Sequence, residues 1–313
     1  MTRIRVAVLD DYQNVALQMA DWSPVAEHAD ITVFNDHVFD ADELVARLSP
    51  FDVIAVMRER TPLSRSIIER LPNLKMIAST GPFNAAVDTA AAEERGIHIG
   101  TTGGTVASTV ELTWALILAA ARNLVAESVS VRGGGWQISV GRELSGQVLG
   151  ILGLGRIGAR VARIGQAFGM EVIAWSENLT PEAAAESGAG HVTKDELFTR
   201  SDVLSIHLKL SERSTGLVGA GELALMKPTA ILVNTSRGPI VDEAALIEAL
   251  RAKDIAGAAL DVFDTEPLPQ DHPLRTLDNV IATPHIGYVA DRPYRIFYRD
   301  TVAAIAAWLE RGQ

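Results

Sequence analysis

A chain of 313 residues, 48% hydrophobic and 21% charged, has the length for about two globular domains. Its net charge of −11 argues against nucleic-acid binding through the general field, and any carboxylate or phosphate pocket then needs cations of its own. The lack of cysteine excludes disulfides, thiolate metal sites and cysteine nucleophiles, and fits a cytoplasmic protein. No metal site is expected. The opening MTRIRVAVLD enters a strand pattern directly, so no signal peptide is expected, and the apolar run Trp114–Ala121 is too short to span a bilayer.

In chain order, Arg3–Leu9, Ile31–Phe34, Phe51–Met57, Leu74–Ser79 and Ile97–Gly100 read as strands. Asp42–Leu48, Leu63–Arg70 and Asp88–Arg95 read as the helices among them. Thr80-Gly81-Pro82-Phe83-Asn84 is a loop at a strand's carboxyl end. Thr101–Thr105 (TTGGT) reads as a hinge, and one long helix is expected from about Val106 to Glu127. Arg132–Trp136 is a loop. Strands at Val203–His207, Ala230–Asn234 and Ile255–Leu260 then alternate with helices at Glu222–Met226 and Asp242–Ala252. Val280–Thr283 is a last strand, and Asp291–Arg311 a terminal helix. The alternation predicts an α/β protein of two doubly wound parallel-sheet domains. The expected boundaries are 1–101 with 289–313 for a discontinuous substrate-binding domain, and 102–288 for the domain inserted into it. Ligands are expected where the strands' carboxyl ends meet a cleft.

The inserted domain is organised around Val148–Ser176. Its apolar strand Val148–Leu152 is followed by Gly153, Gly155 and Gly158 with G-x-G-x-x-G spacing, a helical pattern from Arg156 to Phe168, and a second strand, Val172–Trp175. Gly153 allows the tight turn, Gly155 the close approach of a pyrophosphate, and Gly158 the packing of helix on strand. The helix N-terminus offers its unpaired N–H groups to the phosphates. A bare glycine pattern is a weak signal, but here strand and helix stand where dinucleotide binding needs them.

Three polar groups follow strand ends: Asn234–Gly238 with Arg237, Asp261–Leu268 with Glu266, and Thr283–Gly287 with His285. Singly, each has an ordinary structural reading: a surface ion pair, a helix-capping acid, a packed imidazole. Together at the strand ends of a nucleotide-binding sheet they suggest a reaction centre. These stretches (GILGLGRIG, VNTSRG, DVFDTEPL and TPHIG), in this order and spacing, resemble the D-isomer-specific 2-hydroxyacid dehydrogenases over essentially the whole chain. The resemblance implies that Arg237 binds substrate, that His285 is the general acid/base, and that Glu266 is its carboxylate partner. It also implies an NAD(P) site at Gly153, Gly155, Arg156, Ile157, Gly158 and Ser176, with Leu208, Thr235, Asp261 and Gly287 on the nicotinamide side. The backbone amides of the loop holding Thr80, Gly81 and Pro82 are implied to bind the substrate carboxylate. The chemistry is consistent: a histidine can exchange the carbonyl proton near neutrality, a carboxylate behind it favours the imidazolium, and an arginine polarises the carbonyl.

Several positions depart from the family pattern. Ser176 stands where NAD-specific members usually carry an acid for the adenosine ribose. No arginine lies between Trp175 and Arg200 to grip a 2′-phosphate, and Glu177 would repel one, so NAD is expected with NADP open. The loop TGPFNAAVD lacks the common Gly-x-Gly-x-Asp form, and Tyr288 follows TPHIG where small residues are common. No appended regulatory domain is expected. A small 2-hydroxy or 2-oxo acid (glyoxylate, hydroxypyruvate or 3-phosphoglycerate type) is the expected substrate. Formate dehydrogenases resemble the chain less, having glutamine in place of Glu266; an NAD-sensing, corepressor-like binding protein is the alternative outside enzymes. A homodimer is expected from the apolar helix beginning at Val106, with Trp114, and from Trp136, a region that dimers of the family use. No nucleic-acid or membrane partner is expected.

Overall fold

The structure, a computed structural model, describes residues 3–311. The chain divides into two compact units, one holding the residues up to Thr105 and from Ala290 on, the other Val106–Val289.

The first unit carries strands β1 (Ile4–Val8), β2 (Ala29–Val33), β3 (Val53–Val56), β4 (Met76–Ser79) and β5 (His98–Thr101). They form one parallel sheet in the order β2-β1-β3-β4-β5. β3 and β4 are buried along their whole length, as continuous apolar runs covered on both faces must be. Helix Ala41–Leu48 shows how the layers are joined: the Asp40 carboxylate accepts the N–H groups of Asp42 and Glu43, and Leu44, Val45 and Leu48 point into the core. Helix Asp291–Glu310 packs against β4 and β5 with Phe297, Tyr298 and Ile305 buried.

The second unit carries β6 (Val148–Leu152), β7 (Glu171–Trp175), β8 (Gly190–His191), β9 (Val203–Ile206), β10 (Ile231–Asn234), β11 (Gly257–Leu260) and β12 (Val280–Ala282). The order is β12-β11-β10-β9-β6-β7-β8, all parallel. The chain runs outward from β6 to β8, then returns to lay β9 on the other side of β6. That reversal makes a crevice at the carboxyl ends of β6 and β9. One face buries Leu152, Leu204, Ile206 and Leu232 against Phe198 and Leu246; the other buries Leu149, Ile151 and Val233 against Trp114, Ile117 and Val161.

Several expected elements differ. The long helix from Val106 to Glu127 is two helices, Ala107–Ala121 and Leu124–Arg132, bent by 65°. The break falls at Asn123, whose backbone is left-handed (φ 51°), a conformation asparagine tolerates better than most residues. The first helix is core, and the second buries none of its residues. Leu63–Arg70 is helical only over Arg65–Ile68, because Leu63 donates to Ala86 and pairs in a bridge with Val87. Helices Ala16–Met19, Ser23–Ala26, Pro181–Glu186 and Lys194–Arg200, and the two-residue β8, had no clear apolar period. No helix among the described residues is by itself long and apolar enough to cross a membrane.

Candidate active site

The glycine turn sits at the crevice between β6 and β9. Gly153 has φ +100°, and a Cβ there would lie 2.9 Å from the His207 carbonyl and from Leu208 Cδ2. Its N–H donates to the Trp175 carbonyl at 3.0 Å, which places Ser176 beside the turn. A Cβ on Gly158 would come within 2.2 Å of the Gly153 oxygen, so the helix start lies directly on the turn. Gly155 differs: a Cβ there would meet nothing within 4 Å. The helical ladder begins with Ala159 N–H on the Gly155 carbonyl, so the N–H groups of Gly155, Arg156 and Ile157 precede it. An open space faced by such donors fits a dinucleotide's pyrophosphate.

The three polar groups lie on loops held to each other. The Asn234 amide, at the end of β10, donates to the Arg237 carbonyl at 2.9 Å and accepts from Ser236 N–H at 3.0 Å, folding the turn that presents Arg237. Gly238 is obligatory there, because a Cβ would lie 2.1 Å from the Phe263 carbonyl carbon and 2.6 Å from Asp264 N. The Phe263 N–H in turn donates to Glu266 Oε1 at 2.9 Å. Glu266 Oε2 pairs with His285 Nδ1 at 2.5 Å, in a setting where the two side chains are 32% and 19% exposed. Fixing Nδ1 on a carboxylate orients the ring and leaves Nε2 outside that contact. Among the described residues no hydrogen bond to Nε2 is found.

The His285 backbone is itself unusual, with φ +51°. A left-handed non-glycine residue persists only where its surroundings over-determine it, and such residues gather at functional sites. Asp261, fully buried at the end of β11, supplies the constraint. Its Oδ1 accepts from Thr283 Oγ1 at 2.6 Å and Ile286 N–H at 2.8 Å, and its Oδ2 from Gly287 N–H at 2.9 Å. Burial pushes the Asp261 carboxyl above the usual range, against the opposing pull of these donors and of His285. Asp261 is therefore the anchor of the His285 loop. Thr235 is buried, with its hydroxyl 2.8 Å from that of Thr113, and the half-buried Leu208 accepts from the Ser236 hydroxyl through its carbonyl. His207 packs at the end of β9 with Nε2 2.8 Å from Ser205 Oγ, and burial pushes it down to about 3, so it stays neutral near neutrality.

In the first unit, the Thr80–Asn84 loop requires a correction. Thr80 N–H donates to Val56 O at 3.2 Å and Gly81 N–H to Thr102 Oγ1 at 2.7 Å, while Pro82 has no N–H. The expected backbone amides at these three positions are spent inside the unit. Sequence reasoning also passed over Arg58. Its backbone is left-handed (φ 51°), and its guanidinium donates to the Thr80 carbonyl at 3.0 Å. A Cβ on Gly81 would strike that guanidinium at 1.7 Å. In the second unit the Phe263 N–H was equally invisible, since any residue type can supply a backbone donor.

A dinucleotide cradle with an imidazole–carboxylate pair and an arginine at neighbouring strand ends defines a nicotinamide-dependent dehydrogenase. Comparison with known proteins specifies which. Residues 114–287 match the family "D-isomer specific 2-hydroxyacid dehydrogenase, NAD binding domain". The chain is 46% identical over 229 residues to a glyoxylate reductase of Aeropyrum pernix, covering 70% of this chain and 68% of that one. It is 38% identical over 293 residues to a hydroxypyruvate reductase of Thermotoga maritima, covering 92% of each. A crystal structure of a phosphoglycerate oxidoreductase from Vibrio cholerae superposes with a TM-score of 0.93 at 38% identity, over 99% of this chain and 100% of that one. The chain spans about half (47%) of the length of a matching D-3-phosphoglycerate dehydrogenase of Methanocaldococcus jannaschii. The chain belongs to the D-isomer-specific 2-hydroxyacid dehydrogenases. It is an oxidoreductase of CH–OH donors with NAD as its cofactor.

Proposed function

We propose that the enzyme interconverts a small 2-oxo acid and its D-2-hydroxy acid, with glyoxylate, hydroxypyruvate and 3-phosphoglycerate-type acids as the substrate class. The observation that carries this reading is the His285–Glu266 pair, with Nδ1 held at 2.5 Å and Nε2 left for proton exchange. When bound, a nicotinamide would supply the hydride to, or accept it from, the substrate carbon. His285 gives its Nε2 proton to the carbonyl oxygen during reduction and takes it back during oxidation. Glu266 keeps the tautomer and the ring orientation. Arg237 binds the substrate carboxylate and polarises the carbonyl, offsetting locally a chain charge of −11. The Thr80–Asn84 loop is a second carboxylate contact, through N–H groups beyond Pro82.

Gly153, Gly155, Arg156, Ile157 and Gly158 hold the pyrophosphate, with Ser176 at the adenosine ribose. Leu208, Thr235, Asp261 and Gly287 form the nicotinamide side, Asp261 acting through the loop it anchors. NAD is preferred to NADP because Glu177 repels a 2′-phosphate. The first unit, expected over 1–101 and 289–313, is the substrate-binding domain. The enzyme works as a cytoplasmic homodimer. Trp114 does not support the dimer, because it is core, stacked on Phe168 at 4.9 Å. The support is further along: Val129, Trp136, Ile138 and Val140 are 60–97% exposed on helix Leu124–Arg132 and the loop after it.

Initial rates with a panel of 2-oxo acids, with NADH and with NADPH, test the reading. Turnover with at least one of these acids and a kcat/KM preference for NADH of about 10- to 200-fold are expected. Tight NADH binding without turnover of any acid would instead indicate a sensor. Light scattering at micromolar concentration should give twice the monomer mass.

A further inference from the structure

The Glu266 bond fixes one nitrogen of His285, but a single hydrogen bond leaves the ring able to tilt about that contact. Nε2 is the atom that must meet the substrate oxygen, and it lies at the far side of the ring from the anchor. A second constraint is therefore needed. Tyr288 supplies it: its ring stands edge-to-face against the imidazole, with centroids 5.4 Å apart and planes at 70°. It is carried by the turn that closes the same loop, where Val289 N–H donates to the Ile286 carbonyl at 2.9 Å. Asp261 holds the preceding residues Ile286 and Gly287, so the base of Tyr288 is as fixed as that of His285. Both rings are half-buried, where water screens the contact incompletely. Charged groups near the imidazole include Glu266, in direct contact, and Asp261, which acts on it at longer range.

We propose that Tyr288 is a positioning residue for the acid/base step: its aromatic ring, not its hydroxyl, holds the His285 imidazole so that Nε2 stays aimed at the substrate oxygen. The inference rests on the assignment of His285 as acid/base. Edge-to-face aromatic pairs in this centroid range are favourable beyond their buried area, and a ring lacking one samples more tilted positions. Loss of ring alignment falls on proton transfer; the glycine turn belongs to another loop, and Gly287 keeps its own bond to Asp261 at 2.9 Å, so cofactor binding is left in place.

The test compares Tyr288→Leu and Tyr288→Phe in the full chain, with His285→Gln as reference. For Tyr288→Leu, kcat for 2-oxo acid reduction should fall about 3- to 30-fold. The NADH dissociation constant, read by fluorescence titration, should change less than about 2-fold. The solvent deuterium isotope effect on kcat should rise as proton transfer becomes more limiting. Tyr288→Phe keeps the ring and should restore kcat and the isotope effect. Wild-type kcat and isotope effect in Tyr288→Leu would overturn the proposal, as would a Tyr288→Phe variant no better than Tyr288→Leu. A NADH affinity lost in step with kcat would also overturn it, by showing a merely structural role. An active His285→Gln would remove the acid/base assignment itself, a failure separable from that of Tyr288.

Discussion

Gly238→Ala probes whether the Arg237 turn and the Glu266 loop act as one body. The added methyl would sit 2.1 Å from the Phe263 carbonyl carbon, 2.2 Å from its oxygen and 2.6 Å from Asp264 N. All three atoms are backbone, so no side chain can swing away. Reaching an ordinary contact of about 3.4 Å requires the two loops to part by about 1.3 Å. Phe263 N–H is the donor that orients Glu266, and Arg237 is the neighbour of the substituted residue, so the displacement reaches both. Misplacement on this scale costs about 10²-fold in rate, and overpacking costs about 1–3 kcal/mol of stability. We expect kcat/KM for 2-oxo acid reduction to fall about 100-fold, Tm to drop by several degrees, and NADH affinity to stay within about 3-fold. Steady-state kinetics, calorimetry and NADH fluorescence titration read the three quantities. A variant with wild-type kcat/KM and Tm would refute the loop-on-loop contact.

Gly155→Ala should behave in the opposite way, because its methyl meets nothing within 4 Å yet fills the space assigned to the pyrophosphate: Tm unchanged, NADH affinity down at least about 10-fold by titration. Glu266→Gln keeps an acceptor at Nδ1 but removes the carboxylate that pairs with it at 2.5 Å. With the imidazole less firmly oriented, kcat for 2-oxo acid reduction should fall about 10- to 100-fold while the NADH dissociation constant stays close to wild type, read by steady-state kinetics and fluorescence titration. His207 stays neutral in the folded protein down to about pH 3 but takes a proton in the unfolded chain below its ordinary value near 6.5. Stability is therefore lost as pH falls through 6.5, by at most about 1.4 kcal/mol per pH unit and less where water reaches the ring. His207→Asn should show a smaller drop in urea midpoint between pH 7 and pH 5 than the wild type.

What the sequence disclosed follows from how local each signal is. The strand Val148–Leu152, its glycines and the helix after them are legible because one short stretch carries the whole requirement, and β6, the turn and Gly158–Ala167 stand accordingly. The parallel order of both sheets follows from alternating apolar runs and helices. The break at Asn123 was hidden, because a polar pair such as Arg122-Asn123 can also sit on the exposed face of a continuous helix, and nothing local shows the left-handed backbone. The pairing of His285 with Glu266 was suggested only by resemblance; its 2.5 Å geometry depends on Asp261 and on the Phe263 amide, neither of which has a local signature. The amides of Thr80 and Gly81 looked available because nothing in their own stretch reveals Val56 or Thr102 as acceptors.

The central claim is that His285, held by Glu266, moves the proton that accompanies hydride transfer. Its most direct test is His285→Gln, assayed for NADH-dependent reduction of whichever 2-oxo acid the wild type turns over best, with NADH binding titrated in parallel. The account predicts a kcat lower by about 10²–10⁴-fold with an NADH dissociation constant close to that of the wild type. A kcat within a few-fold of wild type would contradict it, because some other group would then be moving the proton.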